Sequence, residues 1–331
     1  MNAPYPAERD SDGRLASYVH TPVLLQEIVA LLDPQPGFRI LDGTVGTGGH
    51  AEALLSHTEG KAELIGFDRD ETALAIARER LAKFGEHVRL FKENFADADH
   101  VFEEQGIEPK VTTMLLDLGV SSHELEQSQR GFSFLHENEP LDMRFDPRGN
   151  GPTASAILNS ADLEHMADIF RRFGEEPHAR ALAHAVIRRR KEHLFLTVRD
   201  LVSLAMQQAA HHGKRGRQHL HPATRIFQAL RIAVNDELGS LERALPKLLA
   251  LLTSGGRIAV ISFHSLEDRI VKNYFRQEAT DCLCPPSFPI CRCSHKAQLT
   301  ILTKHVIVPT TQEQTSNPRS RSAKLRVAEK L

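Results

Sequence analysis

No stretch of this 331-residue chain approaches the roughly 18 uninterrupted apolar residues of a membrane span, so nothing in it reads as a transmembrane helix. The amino terminus, MNAPYPAERDSDGR, lacks the basic-then-apolar order of a signal peptide. It reads as a loose tail over residues 1–17, and the protein as cytoplasmic. Cysteine is scarce: Cys282, Cys284, Cys291 and Cys293 are the only four, and they fall within twelve residues. In a reducing compartment that clustering suggests a metal site more than a disulfide framework. No internal repeat is visible. An excess of positive charge is missing too, because the net is −2. What remains, 41% hydrophobic and 25% charged residues, describes an ordinary globular protein long enough for two domains.

The charge average conceals an asymmetry. Residues 171–231 hold 13 Lys/Arg against 4 Asp/Glu, a local +9 that leaves −11 for the rest. Seven histidines fall in the same block. A basic block on an acidic body is the footprint of phosphate-backbone binding, although a solvated helical face would look the same.

Strand-like apolar runs at 38–41, 63–67, 88–91 and 111–119 alternate with helix-like stretches such as Glu71 to Phe84. Such alternation implies a parallel sheet covered by helices. Residues 125–152 carry no period and read as a long ordered loop. From Thr153 to Ala210 the pattern is helical only, with Thr197 and Asp200 marking one helix start. HHGKRGRQ (211–218) reads as a flexible break. A long helix pattern runs from about Pro222 to Leu252, then RIAVISF (257–263) as a strand and SLEDRIVKNYFR as a helix. KHVIVP (304–309) and KLRVAE (324–329) read as closing strands. The expected architecture is an α/β domain over 18–122 and 220–331, interrupted by a helical insertion over 123–219.

Chemistry concentrates at the predicted strand ends. After Asp42 come Gly46, Gly48 and Gly49, which let a ligand approach bare backbone at a helix amino terminus. The Gly-Lys-Ser/Thr of a P-loop is missing, and the run from Gly46 through His50 lacks the third glycine of a G-x-G-x-x-G dinucleotide fingerprint. Asp68 ends the second strand, twenty residues after Gly48, where an acid can hold ribose hydroxyls. That serves a nicotinamide or a methyl donor equally, and a simple strand-end cap would look alike. Asn94 and Phe95 follow the third strand and could border an adenine. Asp117, in LLDLGVSS (115–122), ends the fourth, and a carboxylate there could accept the charge developing on an exocyclic amine or merely cap its loop.

With YVHTPVLLQE (18–27), LDGTVGTGGH (41–50), GFDRD (66–70), LLDLGVSS, RGFSF (130–134), PLDMR (140–144), HPATRIFQALRIAVNDEL (221–238) and ISFHSLEDRIVK (261–272), the chain resembles the bacterial 16S ribosomal RNA cytosine-N4 methyltransferases. The resemblance implies a class I (Rossmann-like) methyltransferase sheet with an inserted all-helical domain for RNA recognition. It implies S-adenosylmethionine as cofactor, 16S ribosomal RNA or the small ribosomal subunit as partner, and the N4 amine of a decoding-centre cytosine as acceptor. Gly48, Gly49 and His50 would touch the donor, Asp68 its ribose, and Phe95 and Asp117 its adenosine or methionine parts, with Asp117 also catalytic. Glu124 stands where the family has a cofactor-side glutamine; an ionised carboxylate there accepts hydrogen bonds but cannot donate them. Arg144, His221, Arg225, His264 and Arg269 are the candidates for phosphates and a flipped base, or for structural salt bridges. The four cysteines could hold tetrahedral zinc, although C-x-C pairs depart from the usual C-x2-C knuckle; otherwise they are reduced thiols in a mobile loop. Some relatives carry such a loop and others lack it, which suggests a structural accessory rather than a part in catalysis. Two rivals stay open. DNA N4-cytosine or N6-adenine methylation is disfavoured because DLGVSS lacks the usual prolines and aromatic ring. A silent RNA-binding protein on the same fold is the other.

Overall fold

A computed structural model describes residues 22–126, 128–211, 221–285, 288 and 290–331. The tail read over residues 1–17 lies outside the described residues, as does the break read over 211–218 apart from His211, which ends a helix. The chain divides into two compact units, one of residues 1–118 and 244–331, the other of residues 119–243.

The first unit begins with α1 (Leu25–Leu32), β1 (Arg39–Asp42), α2 (Gly49–His57), β2 (Glu63–Asp68), α3 (Glu71–Leu81), β3 (Val88–Lys92), α4 (Ala98–Glu104) and β4 (Val111–Asp117). The helical unit holds α5 (Ser122–Glu126), α6 (Ala154–Ser160), α7 (Leu163–Arg172), α8 (Ala179–Arg190), α9 (Val198–His211) and α10 (Thr224–Asn235). The boundary falls inside α11 (Glu237–Leu251), after which come β5 (Leu252–Ser262), α12 (Ser265–Glu278), β6 (Leu299–Ile301), α13 (Thr311–Ser316) and β7 (Lys324–Lys330).

The seven strands form one sheet in the order β3-β2-β1-β4-β5-β7-β6. The first five are parallel, and β7 runs antiparallel to both β5 and β6. β1, β2 and β4 are near-continuous apolar runs because a parallel sheet is covered on both faces; Ile40, Leu41, Leu64, Ile65, Leu115 and Leu116 are fully buried. The order reverses at β1, whose neighbours β2 and β4 continue outward. Ligands of open α/β sheets bind at such a switch point, beyond the carboxyl ends of the strands.

Two sequence expectations change. KHVIVP forms no strand: Ile307 makes one isolated bridge to Leu325, and Leu299–Ile301 takes the sheet edge instead. The helix expected over 222–252 is two helices, broken at Asp236, which sits in the left-handed region at φ 50°. The buried Asn235 beside it donates to the Met143 carbonyl (2.7 Å) and accepts the Phe145 N–H (2.8 Å). These bonds tie the break to the long loop, and α10 packs on α6 and α7. Residues 221–243, read from sequence with the sheet, thus lie in the helical unit. That unit has its own core, centred on Phe170, Phe195, Leu158, Met166, Leu201 and Leu230. Thr153 and Asp162 cap α6 and α7 by accepting the Ala156 and His165 N–H groups.

Candidate active site

The glycine turn after β1 is held by backbone and carboxylate together. Gly43 N–H donates to the Leu115 carbonyl and Val45 N–H to that of Phe67, both at 2.9 Å, which clamps the turn to β4 and β2. Gly46 N–H donates to Asp68 Oδ2 (2.8 Å), and Asp70 N–H to Asp68 Oδ1 (2.9 Å). The Thr44 hydroxyl accepts the Asp117 N–H at 2.6 Å, joining the ends of β1 and β4. Gly48 adopts φ +85°, which a side chain rarely tolerates. A Cβ at Gly49 would lie 2.7 Å from Pro22, and one at Gly43 would meet Leu116 at 2.4 Å and Phe95 at 3.0 Å. Phe95 is therefore packed against the start of the turn. Asn94 accepts the Ala96 N–H (3.0 Å) and caps that short turn.

Three carboxyl groups converge on these strand ends. Burial pushes Asp42 and Asp117 up to about 7 and Asp68 up to about 6. The neighbouring charges of Asp117 and Asp68 push Asp42 further, and that of Glu267 does the same to Asp117. Asp42 accepts the Thr44 N–H (3.0 Å), whereas Asp117 Oδ1 is shut away from solvent with no hydrogen-bond partner among the described residues. His50 is buried, and burial pulls it down to about 4. Its Nε2 lies 2.9 Å from the Val23 carbonyl, which assigns the ring proton to Nε2. Nδ1, then an acceptor, lies 3.5 Å from Asp117 Oδ2. Two acceptors face one another favourably only when a proton lies between them, and the raised Asp117 can carry it.

This cluster decides the kind of ligand. A pyrophosphate beside three carboxyls would meet repulsion that the helix terminus could not offset. A sulfonium and an ammonium would meet attraction, and Asp117 Oδ1 awaits a donor. The residues present fit S-adenosylmethionine.

The remaining candidates divide between the units. In the sheet unit, His264 caps α12: its Nδ1 accepts the Glu267 N–H (3.4 Å), and Glu267 Oε2 accepts the Phe263 N–H (2.8 Å) and the His264 N–H (3.3 Å). His264 Nε2 lies 3.1 Å from Glu267 Oε1 but off the line of a hydrogen bond. Arg269 is exposed on the same helix. In the helical unit, Glu124 accepts the Ser121 N–H (2.7 Å) and closes the start of α5. Arg144 forks onto Asp142 through two 2.8 Å bonds and donates a third to the Gly149 carbonyl. Exposed His221 stacks on Phe134 with centroids 4.6 Å apart, and Arg225 lies 3.9 Å from Glu176.

The basic block is partly neutralised by acids that flank it in sequence. Asp168 takes Arg171 and Arg172, Glu164 takes Arg180, and Glu237 takes Arg231. Residues 119–243 as a whole carry 17 Lys/Arg and 16 Asp/Glu. Within Arg188-Arg189-Arg190 only Arg188 is exposed; Arg189 pairs with Asp200 (3.2 Å), and Arg190 donates to the Leu158 and Ala161 carbonyls. Sequence reasoning missed a basic cleft of about 290 Å³ in the sheet unit, lined by Lys272, Arg276, Lys304, His305 and Arg326. Its residues come from three separate segments, so no local charge run announced it.

The cysteines lie in the connection between α12 and β6, with the four sulfurs within 4.8 Å of one another. N–H donation from His295 and Leu283 pulls Cys293 down to about 6, while Cys282 is pushed up to about 12 beside the other thiols.

A turn that admits close backbone approach, and acids that favour a cation, stand at the switch point of a sheet whose last-but-one strand alone opposes its neighbours. That combination defines a class I S-adenosylmethionine-dependent methyltransferase. Residues 17–331 match the MraW methylase family. The chain is similar to proteins named "Ribosomal RNA small subunit methyltransferase H". The one from Heliobacterium mobile is 48% identical over 312 residues, 94% of this chain and 99% of that one. The one from Nitratidesulfovibrio vulgaris is 45% identical over 329 residues, 99% of this chain and 90% of the other. Among solved structures, a putative rRNA-methylase from Clostridium thermocellum overlays 95% of this chain and all of its own, at 13% identity and a TM-score of 0.42. The chain belongs to the MraW methylase family. No helix among the described residues is long and apolar enough to cross a membrane.

Proposed function

We propose that this enzyme methylates small-subunit ribosomal RNA in the cytoplasm, at the N4 amine of a decoding-centre cytosine of 16S rRNA. The observation that carries the reading is the unpartnered Asp117 Oδ1 among the strand-end acids. S-adenosylmethionine, when bound, supplies an electrophilic methyl group on a sulfonium. Gly48, Gly49 and His50 bring backbone to it, Asp68 holds the ribose, and Phe95 borders the adenosine. The exocyclic amine of cytosine is a poor nucleophile because its lone pair is delocalised into the ring. Asp117 accepts one of its N–H bonds, localises that pair and stabilises the positive charge that grows on nitrogen. His50, held at Nε2 by the Val23 carbonyl, turns its Nδ1 toward Asp117 Oδ2 (3.5 Å) and orients that carboxyl.

RNA binding draws on exposed cations. Arg188 and Lys191 on the helical unit and the basic cleft beside α12 are suited to phosphates. Arg144, His221, Arg225, His264 and Arg269 remain the proposed base and phosphate contacts, and Glu124 a proposed cofactor neighbour. The names of the relatives support rRNA as the substrate class.

The test is a labelled methyl-transfer assay offering small ribosomal subunits, naked 16S rRNA and DNA, with nucleoside mass spectrometry of the product. N4-methylcytidine in rRNA is expected. Label confined to DNA, or on another base, would overturn the reading.

A further inference from the structure

We propose that Cys282, Cys284, Cys291 and Cys293 form a tetrathiolate zinc site that folds the α12–β6 connection into a fixed knob. Four sulfurs around one ion at a Zn–S distance of about 2.3 Å stand roughly 3.8 Å apart on a tetrahedron. Here Cys282 and Cys291 are 3.4 Å apart, Cys291 and Cys293 3.6 Å, and Cys293 and Cys282 3.9 Å. A disulfide would need about 2.05 Å, so the spacing suits an ion at the centre. Burial cannot explain the convergence, because Cys282, Cys291 and Cys293 are exposed.

The surrounding backbone is arranged for thiolates. Leu283 N–H donates to Cys293 Sγ and Arg292 N–H to Cys284 Sγ, both at 3.3 Å. Each bond crosses from one arm of the loop to the other. The base is pinned as well. Gln298 N–H donates to the Glu278 carbonyl (2.7 Å), Ala297 N–H to Asp281 Oδ1 (3.2 Å), and His295 Nδ1 lies 2.7 Å from the Thr280 carbonyl. His295 Nε2 faces Glu278 Oε2 at 3.3 Å. That leaves the four sulfurs as the ligand set.

A connection this long with no helix or strand among its described residues is uncommon unless something orders it. Soft thiolates in tetrahedral array select zinc over harder cations, and affinity at such a site rises from ferrous iron to zinc. Binding forms four Zn–S bonds, and each thiol that still carries its proton releases it to solvent. The knob presents Leu283, Phe288 and Ile290 to solvent.

The experiment uses full-length protein purified without an affinity tag or chelator, with metal content by inductively coupled plasma mass spectrometry. One zinc per chain is expected, falling to background in Cys282→Ser and Cys293→Ser. Chelation of the wild-type protein covers variants that fail to fold: amide exchange at Leu283 and Arg292 should accelerate while α12 stays protected. Zinc near zero with four titratable thiols in freshly reduced protein, stoichiometric iron, or full zinc in both variants would each overturn the proposal.

Discussion

The two units treat their charged groups in opposite ways. At the strand ends of the sheet unit, burial raises Asp42, Asp68 and Asp117 together, and the charges of Asp117 and Asp68 raise Asp42 further. In the helical unit, half-buried cations are matched: Arg144 by Asp142, Arg231 by Glu237, Arg189 by Asp200, and Arg190 by two carbonyls. A buried group whose charge is compensated supports its own fold, and removing its partner is costly. Buried acids that oppose one another do not, so their persistence points to a cationic ligand. The difference separates residues that act from residues that hold.

The sharpest way to break that contrast is Asp117→Asn. Methyl transfer should fall by about 100- to 1,000-fold, as when one preorganised charge-stabilising group is lost. The same substitution should raise the melting temperature near neutral pH, because it removes a carboxylate that burial disfavours. The pH dependence has the matching sign. Folded values of about 7, 7 and 6 lie above the ordinary 3.8, so between about pH 4 and 7 the folded chain holds protons that the unfolded chain has released. Stability should therefore fall as pH rises through that window. His50, lowered from 6.5 to about 4, acts the other way between those values, one group against three. Donor affinity should rise over the same range as the acids ionise. Melts and donor titrations from about pH 5 to 8 check both, and flat donor affinity would contradict an acid cluster built for a cation.

Asp68→Asn should weaken donor binding by about ten- to a hundredfold, the effect of about 1–3 kcal/mol from a lost charged hydrogen-bond acceptor. RNA affinity measured in parallel should be unchanged. Arg190→Ala should do the reverse in kind: it strands the Leu158 and Ala161 carbonyls and destabilises the helical unit by about 1–3 kcal/mol. Denaturant unfolding reads the loss, with donor affinity retained. The smallest effect belongs to Arg188→Gln, which should reduce the salt slope of RNA binding by about 1 without changing stability. An unchanged slope would remove Arg188 from the RNA contact.

Legibility in the sequence followed the range of the interactions involved. β1, β2, β4 and β5 were readable because a strand covered on both faces is a continuous apolar run. KHVIVP satisfied the same pattern yet pairs through Ile307 alone, because the edge of β7 is already taken by Leu299–Ile301. The break at Asp236 was invisible because α10 and α11 keep an apolar periodicity across it; the Asn235 bonds to residues some ninety positions away decide it. Gly48, Asp68 and Asp117 were readable from spacing. The His50–Val23 bond, the orphaned Asp117 oxygen and the role of Asp42 were not, since each depends on neighbours from other strands.

The sequence by itself determined the strand–helix alternation, the glycine turn, the position of each strand-end acid and the clustering of the cysteines. Those rest on local propensity and on spacing along the chain. Only the tertiary structure decided that burial raises the strand-end acids, that most of the basic block is paired, and that four sulfurs, three of them on exposed cysteines, lie within 4.8 Å of one another. Charge, desolvation and coordination act through space, and the chain order does not record which residues burial will bring together.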